Sequence, residues 1–79
     1  MNKPKFELQR VQLSGAVVID VIVRNATYSD ELDKLTTDLG YKPTEDISNC
    51  RKIRCTTPAE LDAARAPLMP MFDAKGEWK

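Results

Sequence analysis

The amino-acid sequence predicts a small α+β domain with the order β-β-α-β-α, in which two helices cover one face of a three-stranded antiparallel sheet. Apolar residues alternate on both sides of an early Ser-Gly turn, and two later segments combine helix caps with helical apolar spacing. The 79 residues suffice for a single domain, 1–79, with a loose N-terminal tail, 1–5, and an apolar C-terminal tail, 68–79.

A β-hairpin is predicted over residues 6–24, with Ser14 and Gly15 as a two-residue turn. A turn of that length fixes the pairing register, so that Leu13 lies opposite Ala16. One face is expected to pack on the core and carries Phe6, Leu8, Val17, Ile19, Val21 and Val23. The opposite face carries Glu7, Gln9, Val11, Leu13, Ala16, Val18, Asp20 and Ile22.

The second of these faces, termed the outer face below, is more apolar than a face exposed to water normally is. Five apolar residues lie on it: Val11, Leu13, Ala16, Val18 and Ile22. We therefore expect this face to be covered. Three occupants are open, namely the C-terminal tail, a second copy of the chain, or a different protein.

The first helix is predicted over residues 28–39. Thr27 is a suitable N-cap with Asp30 three residues later, and acidic side chains crowd the first turns, where the helix dipole favours negative charge. Gly40 stands where a helix commonly ends, and Pro43 prevents its continuation.

Residues 42–48 are predicted to form a loop and residues 49–56 a third strand, whose place at either edge of the hairpin the sequence leaves open. A second helix begins after Thr57, because this N-cap is followed by Pro58 and by a glutamate three residues on. The helix should end before Pro67, since proline lacks the N–H of a helix interior and disfavours helix at the preceding residue.

Several classes of site are excluded by composition. The chain has no histidine, two cysteines and three glycines, which leaves no imidazole base, no four-ligand zinc set and no glycine-rich phosphate loop. We therefore expect neither an enzyme nor a bound cofactor. The 12 basic and 12 acidic residues balance, and no apolar run is long enough to cross a bilayer, so the expected location is the cytoplasm.

The third strand carries Arg51, Lys52 and Arg54, and this basic strand predicts phosphate contacts as an alternative function, a nucleic-acid-binding domain. It lacks the interleaved aromatic residues on which single-stranded bases usually stack. The same charges also protect an edge strand against aggregation without any ligand. Cys50 lies beside these cations, and a thiol-based activity there is a third hypothesis.

The sequence favours a small, non-catalytic protein-binding module that acts on a larger protein as an inhibitor, adaptor or assembly factor. Its partner is expected to be another protein or a second copy in a homodimer, in preference to nucleic acid, and no membrane is expected. The residues predicted to bind the partner are Val11, Leu13, Val18, Ile22, Met71, Phe72 and Trp78.

Overall fold

The structure is a computed structural model that describes residues 3–44 and 49–79. Its elements in chain order are the strands β1 (Lys5–Leu13) and β2 (Ala16–Arg24), a 3₁₀ turn (Ala26–Tyr28), helix α1 (Asp30–Asp38), the strands β3 (Lys42–Pro43) and β4 (Arg51–Cys55), helix α2 (Pro58–Arg65), and a second 3₁₀ turn (Met69–Met71). The α+β class is confirmed. The predicted count of three strands is corrected to four, which form one antiparallel sheet in the order β1-β2-β4-β3.

The hairpin of β1 and β2 has the predicted register. Leu13 lies opposite Ala16, and the pairing continues residue by residue along both strands. Gly15 closes the turn with a φ of 78°, a left-handed conformation that glycine adopts without steric cost. At the other end β1 begins at Lys5, and the preceding Pro4 is buried, so part of the predicted N-terminal tail belongs to the packed structure.

Helix α1 begins two residues later than predicted. Its N-cap is Ser29, whose hydroxyl oxygen accepts a hydrogen bond from the backbone N–H of Leu32 at 3.3 Å. Thr27 lies instead in the 3₁₀ turn before the helix. The turn is held by Ala26, because its side chain is fully buried and its backbone N–H donates to the carbonyl of Asn49 at 2.8 Å.

The sequence left the edge for the third predicted strand undecided, and in the structure β4 joins β2. The pairing covers residues 19–23 of β2, so β2 becomes a central strand. The first three residues of β2, 16–18, therefore run on past the last residue of β4, together with the part of β1 that pairs with them.

The segment predicted as the loop 42–48 begins with the short strand β3, which pairs with Lys52 and Arg51 of β4. Two residues, one of them proline, are too few to show an alternating pattern, so only the long-range pairing reveals this strand. The rest of the predicted loop, residues 45–48, and the first two residues of the predicted N-terminal tail lie outside the described residues.

Helix α2 begins at the predicted cap. The hydroxyl oxygen of Thr57 accepts from the backbone N–H of Glu60 at 3.2 Å, and Pro58 occupies the first helical position. The carboxylate of Glu60 reaches back one residue further than a capping box requires, and accepts from the backbone N–H and the hydroxyl of Thr56 at 2.8 and 2.7 Å. The helix ends at Arg65, ahead of the proline predicted to stop it.

The core lies between the helices and the face of the sheet opposite the outer face, termed the core face below. Its buried side chains come from the sheet, both helices and the C-terminal tail: Val21, Val23, Ala26, Leu32, Tyr41, Cys55, Ala64, Leu68 and Phe72. Because the tail supplies Leu68 and Phe72 to this cluster, it packs on the helical side of the sheet. The tail therefore does not cover the outer face, which removes one of the three expected occupants.

The end of the tail returns to the edge of β1. The backbone N–H of Phe6 donates to the carbonyl of Gly76 at 2.7 Å, and Glu77 forms an antiparallel bridge with Lys5. The indole of Trp78 lies edge-on to the ring of Phe72, with centroids 5.6 Å apart. These contacts attach the tail to the first residues of β1 only.

Candidate protein-binding surfaces

The outer face holds four of the residues predicted to bind a partner, but two of them offer little area to it. Val18 and Ile22 are only 4% and 8% exposed, while Val11 is half-buried and Leu13 is 38% exposed. Ile22 is buried because β2 is central and Ile22 lies between side chains of β1 and β4. Partner contact by these four residues remains a prediction, and the largest exposed area among them belongs to Leu13 at the hairpin turn.

A buried carboxylate, that of Asp20, lies in the middle of the outer face. Asp20 is 2% exposed and accepts two hydrogen bonds from Arg54, from Nε at 2.9 Å and from Nη2 at 3.2 Å. The ammonium group of Lys52 lies 4.0 Å from the same carboxylate. Asp20 raises the pKa of Arg54 by hydrogen bonding and by its charge, so the guanidinium stays fully ionised. The pair satisfies the buried carboxylate and holds Arg54 in one orientation.

The other three predicted partner-binding residues lie in the C-terminal tail, on the opposite side of the sheet. Phe72 is 2% exposed and belongs to the core, while Met71 and Trp78 are half-buried against it. The structure therefore does not bring these three side chains together with the outer-face residues, and a single flat partner cannot contact both sets. A partner role for the tail remains a prediction.

The basic residues predicted as a nucleic-acid contact point to both faces of the sheet. Arg51 lies on the core face, where its Nη2 is 3.2 Å from the carboxylate of Asp33 on α1 and its side chain is 12% exposed. Lys52 and Arg54 lie on the outer face, where they share Asp20. The three cations therefore do not form one strip along β4, and a nucleic-acid role for them remains a prediction.

Both cysteines are buried, each at 3% exposure. Cys55 belongs to the core cluster, and burial is the largest of the effects that raise its pKa, followed by the charges of Glu60 and Asp20. A raised pKa disfavours the reactive thiolate at Cys55. The burial of Cys50 limits its access to reagents, and the hypothesis of a thiol activity at that residue remains a prediction.

An exposed apolar surface that the sequence did not indicate lies at the free end of the hairpin, residues 8–13 and 16–18, termed the hairpin arm below. Leu8 and Val17 were expected in the core, yet they are 47% and 46% exposed. Val17 is exposed because β2 has nine residues and β4 has five, so β2 runs on past the end of β4. Leu8 lies beside the paired part of β2, but on β1, the edge strand of the sheet. The third strand was predicted over the eight residues 49–56 and is observed over five, so the predicted strand lengths did not indicate this exposure.

Two shallow grooves flank the hairpin arm on the core face. One has a volume of about 230 Å³, and Val17, Ile19 and Leu61 form its apolar wall. The other has a volume of about 330 Å³ and lies between Leu8 and Met69, where Met69 is 44% exposed. The arm therefore presents apolar side chains beside concave surface, the usual composition of a recognition site.

The edge of β1 is open along the hairpin arm. In an antiparallel pair of strands, the backbone groups of successive residues point alternately toward the partner strand and away from it. Phe6 is one of the residues that point away, because its N–H donates to Gly76 and not to β2. Leu8, Arg10 and Gln12 share this orientation by the two-residue repeat. Among the described residues, none donates to or accepts from their outward backbone groups. β1 thus offers three consecutive pairs of unused donors and acceptors.

The opposite edge of the sheet is closed. Lys42 pairs inward with β4, and the backbone N–H of Thr44 also turns inward, to the carbonyl of Cys50 at 3.2 Å. Pro43, between them, is the residue of β3 whose backbone faces outward, and proline has no N–H to donate. A strand approaching β3 therefore meets no outward N–H donor at Pro43, whereas the edge of β1 has outward donors and acceptors.

Neither a metal site nor a membrane-spanning helix is evident in the part of the chain that the structure describes. Within residues 3–44 and 49–79, no three histidine, cysteine, aspartate or glutamate side chains converge as metal ligands. No helix in these ranges has the length and apolar character needed to cross a bilayer. Comparison of the chain with protein-family models, with curated proteins and with solved structures yields no match.

Proposed function

We propose that the protein is a small, non-catalytic protein-binding module that accepts a strand of its partner along the open edge of β1. The observation that carries the proposal is the contrast between the two edges of the sheet. β1 has unused backbone donors and acceptors from Leu8 to Gln12, whereas β3 presents Pro43. Addition of a partner strand to such an edge is a common mode of peptide recognition.

The side chains beside this edge support the same mode of binding. In strand addition, backbone hydrogen bonds supply affinity and alternate side chains of the added strand supply specificity through neighbouring pockets. The added strand would lie next to Leu8, and its side chains on the core face would reach the groove between Leu8 and Met69. The exposed area of these two residues gives the partner apolar surface to bury.

The mode of action fits a protein without catalytic groups. A module that occupies the edge strand or groove of a larger protein acts as an inhibitor, adaptor or assembly factor. The buried, unbridged cysteines fit a reducing compartment such as the cytoplasm. A second copy of the chain is the other occupant that the same edge accepts, and light scattering of the purified protein distinguishes a homodimer from a monomer that awaits a foreign strand.

The test uses proline at Arg10, whose backbone N–H faces outward. Arg10→Pro removes an edge donor and leaves the hydrogen bonds between β1 and β2 in place. The matched control is Arg10→Ala, which removes the same side chain and keeps the N–H. We expect the affinity for a partner from the native host, or for a second copy of the chain, to be at least about tenfold lower for Arg10→Pro than for Arg10→Ala.

Thermal unfolding of both variants shows whether the hairpin is intact, and only folded protein is compared. Equal binding by Arg10→Pro and Arg10→Ala contradicts strand addition at β1. Replacing Leu8 with serine then measures the side-chain contribution separately, because this change leaves every backbone group in place.

A further inference from the structure

Three cations form a compact cluster on the outer face of the sheet, away from the edge of β1. Lys42 of β3 lies directly opposite Lys52 of β4, and Arg54 follows on the same face two residues further along β4. Directly opposed residues have Cβ atoms about 5 Å apart, and two residues along a strand span about 7 Å. A single small group of oxygen atoms can therefore contact all three side chains.

One member of this cluster is already oriented. Arg54 bonds Asp20 through Nε and Nη2, which leaves the N–H groups of Nη1 and one of Nη2 unused by that pair. Its side chain is 46% exposed, and that of Lys52 is 44% exposed. A guanidinium held in place by a buried carboxylate loses less rotational freedom when it binds a second anion.

The local charge on this face is positive, although the whole chain is neutral. Among the described residues the outer face carries five cations, namely Lys5, Arg24, Lys42, Lys52 and Arg54. On the same face the described carboxylates are those of Glu7, Asp20 and Glu77, the last of them opposite Lys5 at the far end of β1 from the hairpin turn. Lys42 and Lys52 oppose each other directly, and like charges in such a pair repel, so an anion placed between them relieves the repulsion.

The helical layer on the other side of the sheet is acidic. α1 carries Asp30, Glu31, Asp33 and Asp38 against Lys34, and of these the described ion pairs use Asp33 and Asp38. The molecule is thus polarised across the sheet, with a positive outer face and a negative helical face. A partner with localised negative charge is therefore attracted to the outer face in preference to the helical face.

We infer that the cluster of Lys42, Lys52 and Arg54 binds the carboxylates of an acidic segment of a protein partner. A protein segment fits better than nucleic acid because the cluster is compact and the outer face has no aromatic side chain among the described residues. The aromatic residues lie on the helical side or in the core: Phe6, Tyr28, Tyr41, Phe72 and Trp78. The cluster lies on β3 and β4, so this inference is independent of strand addition at β1.

The test measures fluorescence anisotropy of a labelled oligoglutamate peptide at low ionic strength, with a labelled mixed-sequence DNA duplex as the competing probe. The test variant is Lys42→Gln together with Lys52→Gln. The matched control is Lys34→Gln together with Lys79→Gln, which changes the net charge equally and leaves the cluster intact. We expect the test variant to bind oligoglutamate about five- to tenfold more weakly than the control.

A second variant separates the effect of the fixed orientation of Arg54 on binding from the effect of its positive charge. Arg54→Lys keeps the positive charge and loses the paired N–H donors, so we expect weaker oligoglutamate binding at unchanged net charge. Equal affinities of the two double variants, tighter binding of the DNA duplex than of oligoglutamate, or no binding of oligoglutamate by the unsubstituted protein each overturn the inference. Thermal unfolding checks that the variants are folded, and removal of the opposed lysines should leave the melting temperature unchanged or higher.

Discussion

The tail approaches the backbone of β1 closely at Gly76, and replacement of this glycine by alanine gives a quantitative test of the fold. Gly76 has a φ of 82°, and a Cβ built on it overlaps the backbone carbonyl oxygen of Phe6. Gly15 has a similar φ of 78°, but a Cβ there meets no atom within 4 Å. The two glycines therefore share the backbone strain of a left-handed alanine and differ in the steric contact.

The expected costs follow from that difference. Gly15→Ala should lower the free energy of unfolding only by the strain of an alanine in the left-handed conformation, about 1 kcal/mol. Gly76→Ala adds a contact with backbone that cannot rotate away, so the tail must move and lose the 2.7 Å hydrogen bond from Phe6, worth about 1 kcal/mol. With part of the burial of Trp78 also lost, we expect about 3 kcal/mol, or a melting temperature lower by about 15 °C.

Urea unfolding measures both variants, and Trp78, as the chain's single tryptophan, reports on the tail through its fluorescence. In Gly76→Ala the emission of Trp78 should shift to longer wavelength before the main transition, because the indole leaves its edge-on contact with Phe72. A free energy of unfolding that is no lower for Gly76→Ala than for Gly15→Ala refutes the attachment of the tail to β1.

Three further changes in stability are expected. Leu68→Ala should lower the free energy of unfolding by about 3 kcal/mol in urea titrations, because Leu68 is fully buried. Burial raises the pKa of Cys55 above its ordinary 9.0 and that of Tyr41 above its ordinary 10.0, so the folded state holds these protons longer than the unfolded state. Stability should therefore be complete below pH 9 and should fall as the pH rises above that value, measured as the urea midpoint. Hydrogen bonds from Thr56 lower the pKa of Glu60 below its ordinary 4.5, so its stabilising contribution should be lost as the pH falls below that value, and Glu60→Gln should remove this acid dependence.

Each of these three has its own control. Met69→Ala, at a neighbouring residue that is 44% exposed, should cost much less than Leu68→Ala. Cys55→Val should reduce the alkaline loss of stability, and an unchanged slope contradicts the assignment to Cys55. An acid midpoint in Glu60→Gln identical to that of the unsubstituted protein contradicts the role of Glu60.

The hairpin and the second helix could be predicted because their signals are local. A two-residue turn at Ser14 and Gly15 admits one pairing, and Thr57 with Pro58 defines a helix start without reference to distant residues. The start of α1 was predicted two residues early because two hydroxyl residues compete for the cap. The choice of Ser29 depends on the long-range bond of Ala26 with Asn49, which no local pattern encodes.

The exposure of the candidate surfaces could not be predicted, since it depends on which edge β4 joins. Pairing through β2 buries Ile22, which was expected to be available to a partner, and leaves Val17, expected in the core, about half exposed. The basic cluster could not be predicted either, because Lys42 lies opposite Lys52 only through the two-residue pairing of β3 with β4. Alternation indicates which side chains share a face, but the order of strands decides which of them reach solvent.

The unequal margins of the sheet also set how far any self-assembly can go. When two copies pair along β1, each occupies the open edge of the other. The edges that remain free are the two β3 strands, each of which presents Pro43. Association of this kind is complete after a single step, with a two-fold axis between the copies. A chain that leaves one strand uncovered is thereby kept from adding copies without limit into a fibre.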